Sequence, residues 1–115
     1  MSYHSNKYYA RKIIVNGETY DSKKEHARWL YLQEQERNGE ISELQRQVKF
    51  ELIPSQRIDG RVVERACSYY ADFVYKKDGL QIVEDVKSPA TRKAKDYIIK
   101  RKLMLYLRGV RIMEV

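Results

Sequence analysis

Between Val48 and Ile53 the stretch VKFELI alternates apolar and polar side chains over most of its length and is stopped by Pro54. Alternation with period two predicts a strand with one buried face. Two further β-branched and aromatic runs, about residues 69–75 and 81–87, flank Asp78-Gly79 and predict an antiparallel ribbon closed by a two-residue turn. Asn16-Gly17 predicts a shorter hairpin inside KIIVNGETYD, and VRIMEV predicts a closing strand. Asp59-Gly60 turns the segment SQRIDGRVVERACS, which either extends neighbouring strands or forms an excursion carrying Arg57, Arg61 and Arg65.

Two helices interrupt the strands. Ser22-Lys23-Lys24-Glu25 matches a capping box, Ala27, Trp29, Leu30 and Tyr31 follow, and Asn38-Gly39 ends the segment, which predicts a helix over 23–37. The second helix is expected from Thr91 to Arg108, with Gly109 taking the left-handed terminal position. Its apolar arc is expected to contain Ile98, Ile99, Leu105 and Tyr106, with Lys102 projecting into the same arc. Lys102 then either snorkels to the surface or holds a phosphate at a site edge. The N-terminal residues MSYHSNKYYARK carry no apolar period, so 1–12 are expected to be a flexible basic arm and 13–115 a single domain. The arm either lies along a phosphate backbone or is a disordered terminus, and Tyr8, Tyr9 and Trp29 are candidate interface aromatics, Trp29 more naturally belonging to the core.

The acids inside the ribbon change the picture. With Asp78-Gly79 as the loop, Lys77 faces Leu80, and counting outward Tyr75 faces Ile82, Val74 faces Val83 and Asp72 faces Asp85. Directly opposed residues share a sheet face with Cβ atoms about 4.5–5.5 Å apart. Two carboxylates so placed repel unless a proton or cation lies between them, and a hard divalent ion taking oxygen ligands is the natural occupant. The same period puts Lys87 on the face of Asp85 and turns Glu84 to the other side with Ile82 and Val86. Lys87 would stand one step along the strand from the metal, able to orient water and offset charge growing on a phosphate. A cross-strand salt-bridge ladder is the structural alternative, but the flanking Val83, Val86, Phe73 and Val74 leave no obviously wet face for one.

Charge and composition narrow the partner. The 115 residues carry a net charge of +7, with 34% charged residues and ten tyrosines, a combination suited to a polyanion. A lone Cys67 excludes an internal disulfide, and neither a signal peptide nor a membrane span is recognisable, so a cytoplasmic protein is expected. His4 and His26 lack metal-ligand spacing and no phosphate-binding glycine loop occurs, which sets aside zinc chemistry and nucleotide cofactors.

Asp72 followed by Asp85-Val86-Lys87 resembles the PD-(D/E)XK nuclease superfamily, whose restriction-endonuclease-like core has the order αβββαβ. The sequence DSK at 21–23 also fits acid-x-Lys but falls at a helix start and is rejected. Ala71 stands where the superfamily motif names proline. More closely, the run from Tyr20 through VKFELIP, YYADFVY, VEDVKS and TRKAKDYIIKRKLM is similar to a small phage-encoded family described as Holliday-junction-resolvase-like. The resemblance implies an α/β fold with an N-terminal hairpin and a mixed central sheet flanked by helices. It implies a Mg²⁺- or Mn²⁺-dependent endodeoxyribonuclease hydrolysing branched or duplex DNA in phage recombination or replication within a bacterial host. Asp72, Asp85 and Glu25 would hold metal and Lys87 would serve the nucleophile; from local sequence Glu25 is equally explained as a cap reaching back to the Ser22 amide. Gln47, Lys93, Lys100, Lys102 and Arg61 are the expected nucleic-acid contacts. Paired cuts in a four-way junction call for a homodimer. The rival readings are a non-catalytic nucleic-acid-binding protein on a degenerate nuclease fold, and a sequence- or mismatch-specific nuclease.

Overall fold

The computed structural model describes residues 11–115. The expected arm, His4, Tyr8 and Tyr9 included, lies outside these residues save for Arg11 and Lys12, which are exposed and carry no regular structure. Strands β1 (Ile13–Val15) and β2 (Glu18–Tyr20) form the first hairpin, with Asn16 and Gly17 at φ 52° and 80° in its turn. Helix α1 spans Lys23–Arg37, the expected bounds. Strands β3 (Ser42–Ile53), β6 (Cys67–Lys77), β7 (Leu80–Asp85) and β8 (Met113–Glu114) form a four-stranded sheet in the order β3-β6-β7-β8. The first three are antiparallel and β8 runs parallel to β7, so the sheet is mixed and the fold is the α/β class expected. Strands β4 (Gln56–Ile58) and β5 (Arg61–Glu64) make a separate two-stranded ribbon between β3 and β6.

Helix α2 covers Lys95–Arg108, shorter than expected because residues Thr91–Lys93 form a 3-10 turn and Ala94 is extended at ψ 128°. Gly109 ends it at φ 65°, where its missing Cβ lets the chain turn left-handed. The expected apolar arc is overturned. Tyr97 and Met104 are the buried residues of α2, whereas Ile99 and Leu105 are exposed and Tyr106 is 85% exposed. The inner face carries Arg101 between Tyr97 and Met104, and its guanidinium lies 3.3 Å from Glu114, so a charge interrupts the apolar spacing of the face that packs. Lys102 shares the outer face and is exposed.

Two apolar clusters use opposite sides of the sheet. One joins Leu52, Tyr69, Ala71, Val74 and Val83 to Tyr97 and Met104 of α2; the other joins Leu32 of α1 to Ile41, Phe73 and Tyr75, with Trp29 packed against it. On β3, Leu44 belongs to the α1 side, whereas Val48, Phe50 and Leu52 belong to the α2 side. On β6, Tyr69 and Ala71 lie under α2, but Phe73 and Tyr75 lie under α1. Both strands therefore exchange faces at one step, bracketed by the pairs Arg46↔Phe73 and Val48↔Ala71. Gln47 occupies that step at φ 52°, a left-handed residue between extended neighbours. It reverses the pleat, so the even-numbered residues of β3 stay inward while the covering helix changes.

Beneath α1, Arg28 grips Glu84 with two parallel bonds, Nε to Oε1 at 2.9 Å and Nη2 to Oε2 at 2.8 Å. The Tyr75 hydroxyl donates to the same carboxylate, which has no solvent exposure. Glu84 thus faces away from Asp85, as the register requires. Replacing Arg28 by Ala strands this carboxylate and is expected to lower the unfolding free energy by about 3 kcal/mol; adding Glu84→Gln recovers part of the loss, both read from urea melts. At Gln47, Gly should be more stable than Ala by about 1 kcal/mol, since only Ala meets the left-handed steric penalty.

Candidate active site

The ribbon register holds as far as the strands pair: Lys77↔Leu80, Tyr75↔Ile82, Val74↔Val83 and Phe73↔Glu84. Asp78 and Gly79 sit at φ 52° and 80°, the two left-handed positions such a turn needs. Beyond Phe73↔Glu84 a side chain takes over, and the Val86 amide donates to Asp72 Oδ2 at 2.8 Å. Asp72 and Asp85 thus lie side by side where the strand ladder stops, both nearly buried, on the floor of a cleft of about 980 Å³.

Helix α1 supplies the third acid. Ser22 Oγ accepts the Glu25 amide at 3.1 Å, which starts the helix and aims Glu25 at the sheet. The Glu25 side chain does not reach back to the Ser22 amide as the capping box expects; its Oε1 accepts the Asp21 amide at 3.2 Å. Oε2 accepts from Gln47 Nε2 at 3.2 Å, and the same nitrogen lies 3.3 Å from Asp72 Oδ1. Gln47 therefore ties two buried carboxylates with one amide. The residue that reverses the pleat also bridges the acids, which makes its unusual backbone part of the site.

Burial, then the adjoining Asp85 carboxyl, push the Asp72 carboxyl up to about 8, despite the Val86 amide and Lys87, which favour its charged form. Glu25 is raised as well, first by burial and then by Asp72. Asp85 has different company: Tyr69 donates its hydroxyl to Oδ2 at 2.9 Å and Lys87 Nζ stands 3.3 Å from the same oxygen. The Lys87 ammonium also lies 3.9 Å from the ring centroid of Tyr97, whose hydroxyl is anchored on Glu114 Oε2 at 2.5 Å.

A fourth acid, Asp21, joins Glu25, Asp72 and Asp85 in the lining of the cleft. Carboxylate oxygens of Asp21, Glu25 and Asp72 close to within 4.8 Å of one another, and Asp85, engaged by Tyr69 and Lys87, adjoins Asp72. Asp21 sits in the very segment rejected as a motif. Its lysine, Lys23, is the first residue of α1, but the aspartate reaches the site because it precedes the cap by one residue. Arg46 was also missed: it packs 4.0 Å over the Tyr20 ring, bonds Glu18 Oε1 at 2.7 Å and stands 3.5 Å from Glu25 Oε2. Its place on the even-numbered row of Leu44, Val48, Phe50 and Leu52 is the signal that would have found it.

Of the expected nucleic-acid contacts, Gln47 and Lys100 line the cleft, as do Lys23, Lys24 and Arg11. Lys24 Nζ donates to the Lys87 carbonyl at 3.0 Å, closing the rim between α1 and the end of β7. Lys93 is exposed on the short turn before α2 and does not line the cleft, and Lys102 faces outward. Arg61 lies on the β4–β5 ribbon, away from the acids. These misplacements share a cause: a basic residue can be assigned to a helix or turn from sequence, but its azimuth depends on the packed face.

The raised Asp72 pKa gives a pH dependence with a defined sign. Its folded value, about 8, exceeds that of an unfolded aspartate, so the folded chain holds the extra proton in the window between them. The stability this group contributes is full below about pH 4 and is lost as pH rises through about 8. Metal-free protein is expected to melt lower at pH 8 than at pH 5. Asp72→Asn should flatten that difference and raise the metal-free Tm at pH 8 by about 4 °C, read by thermal melts across the range.

A family model described as "Protein of unknown function (DUF1064)" matches residues 5–113. No curated protein and no solved structure matches the chain. No helix among the described residues is long and apolar enough to cross a membrane. By the extent of the match, which takes in the hairpin, both helices and every acid of the cleft, the chain belongs to the DUF1064 family.

Proposed function

We propose that the protein is a metal-dependent DNA endonuclease that hydrolyses phosphodiester bonds, selective for branched DNA, working in phage recombination or replication in the cytoplasm of a bacterial host. The observation that carries this reading is the Asp72 carboxyl: it is packed beside Asp85 and Glu25, with Lys87 adjoining, on the floor of a lysine-rimmed cleft. A purely structural acid cluster in a chain of net charge +7 would be expected to recruit arginine or lysine to each carboxylate. Here Asp72 accepts from an amide and a backbone N–H beside other acids, and among the described residues the adjoining Lys87 forms its ion pair with Asp85 instead.

The donor set fits a hard divalent ion, Mg²⁺ or Mn²⁺. Its ligands are all carboxylate oxygens, three of them within 4.8 Å of one another, with neither histidine nor thiol among them. Asp72, Glu25 and Asp21 would hold the ion with Asp85 adjoining, and when bound it supplies polarisation of the phosphate and acidification of water. The chain's own groups do the rest. Lys87 Nζ, fixed between Asp85 and the Tyr97 ring, offers positive charge to a phosphate in the cleft. Glu25, tied to Gln47 and facing the cleft, would hold the ion or a water beside it. Gln47 Nε2 holds Glu25 and Asp72 in fixed relation, and Lys23, Lys24 and Lys100 on the rim give sequence-independent attraction for the backbone. Two opposed cuts in a branched substrate imply a homodimer.

Purified protein with Mg²⁺ is expected to cut a labelled four-way junction faster than a flap or linear duplex. Asp72→Ala, Asp85→Ala and Lys87→Met should each lower the single-turnover rate by about a hundredfold or more while leaving junction binding in Ca²⁺ intact. Binding without cleavage under any divalent ion would favour the non-catalytic reading, and strong cutting of linear duplex at one sequence the site-specific one.

A further inference from the structure

Lys87 carries its ammonium on a flexible four-carbon stem that loses rotamer freedom when it is fixed. Two groups hold it in the cleft: Asp85 Oδ2 at 3.3 Å and the Tyr97 ring, whose centroid lies 3.9 Å away. Asp72 adjoins Asp85 and attracts the same ammonium, yet among the described residues the ion pair is with Asp85. Charge alone does not choose between two neighbouring carboxyls. The ring does, because its π face holds a cation in one place.

The closing strand places the ring in turn. The Tyr97 hydroxyl donates to Glu114 Oε2 at 2.5 Å, Arg101 Nη1 stands 3.3 Å from the same oxygen, and Arg92 Nε stands 3.7 Å from Oε1. Glu114 is the β8 partner of Asp85, so both point to one face of the sheet. At the same step the Lys87 amide donates to the Val115 carbonyl and the Val115 amide to the Asp85 carbonyl, both at 3.0 Å. Strand β8 therefore sets the main chain of Lys87 through Val115 and the ring beneath its cation through Glu114.

A buried tyrosine hydroxyl needs an acceptor, which a backbone carbonyl or a water can supply. A carboxylate does more. Burial alone would raise the Glu114 carboxyl, but the Tyr97 hydroxyl and then Arg101 outweigh it and hold it below the usual carboxylate range, so the acceptor is anionic. A charge-assisted bond of this kind is short and strong, and it polarises the phenol so that the ring face attracts an ammonium more.

We propose that Glu114 and Tyr97 are positioning residues for Lys87: the carboxylate pins the phenol, and the pinned ring keeps the ammonium on Asp85 rather than Asp72, ready for a phosphate entering the cleft. The consequence for hydrolysis rests on the role given to Lys87 above; the placement itself is read in protein free of metal and DNA.

Two measurements on the full chain test it. In proton–carbon NMR spectra of the metal-free protein the Lys87 ε-methylene, identified by its absence in Lys87→Met, should lie upfield of the other lysines because the Tyr97 ring current shields it. Tyr97→Phe and Glu114→Gln should each draw that signal back towards the others, and Tyr97→Leu should abolish the shift. In single-turnover junction cleavage with Mg²⁺, Tyr97→Phe and Glu114→Gln should each slow the rate about tenfold, with junction binding in Ca²⁺ unchanged. Added to Lys87→Met, neither should cost anything further, whereas a merely structural role adds its loss in either background. Thermal melts establish which variants fold, and Tyr97→Phe, which keeps the buried ring, decides the matter should Tyr97→Leu not fold. A wild-type Lys87 signal among the other lysines, spectra and rates unchanged in Tyr97→Phe and Glu114→Gln, or additive losses in the double variants would each overturn the proposal. An upfield signal that moves in both variants, with no cleavage by any protein, would refute the nuclease reading alone.

Discussion

A single backbone conformation, the left-handed Gln47 inside β3, organises both the core and the cleft. Held extended, β3 would present Leu44, Val48 and Leu52 to one side of the sheet, and a single helix would have to cover all of them. With the pleat reversed, the first half of the β3–β6 pair packs under α1 and the second half under α2, so two short helices on opposite faces enclose two modest cores. The cost of a non-glycine left-handed residue is about 1–2 kcal/mol. Gln47 offsets part of that with its amide, which is fixed on Glu25 and Asp72. Asp72 lies opposite, on the one stretch of β6 between the two cores, where a carboxylate reaches both α1 and the end of β7.

Around that junction, two networks of contrasting chemistry lie on the two faces of β7. Glu84 is fully paired: a bidentate guanidinium, a tyrosine hydroxyl and no solvent. It locks α1 to the sheet and so fixes Glu25, three residues before Arg28. Asp85, one residue along, is paired only in part, by Tyr69 and Lys87, and its neighbour Asp72 is held at about 8 by burial and by Asp85 itself. Buried charge is tolerable where each lone pair is satisfied and costly where it is not. The contrast between the satisfied face and the unsatisfied one is what separates scaffold from candidate chemistry.

The positions legible in sequence were those governed by local rules. Asp78-Gly79 demanded a tight turn, the turn imposed the register, and the register put Asp72 and Asp85 on one face with Glu84 on the other. Ser22 and Gly109 set helix limits because capping groups act on their own neighbours. What escaped was azimuth. The buried positions of α1 and their flanks, Glu25, Arg28, Trp29 and Leu32, mix charge with apolar surface, while Leu30 and Tyr31 are half exposed, so hydrophobic residues alone mark no packed face in this helix. In α2 the expected arc pointed to the wrong side, since Arg101 sits on the packed face and Tyr106 on the open one.

Sequence alone therefore determined the order of elements, the hairpin registers and the pairing of two aspartates, because each rests on interactions between residues close along the chain or on the strict period of a strand. Tertiary structure decided which further acids share that space, bringing Glu25 and Asp21 to the two aspartates, and which lysines rim the cleft. It also turned unbroken alternation along β3 into two cores, since a left-handed residue leaves the period of inward positions intact while changing the side they face. Those outcomes depend on the packing of α1 and α2 against opposite faces, and no pattern within either helix encodes the partner surface it will meet.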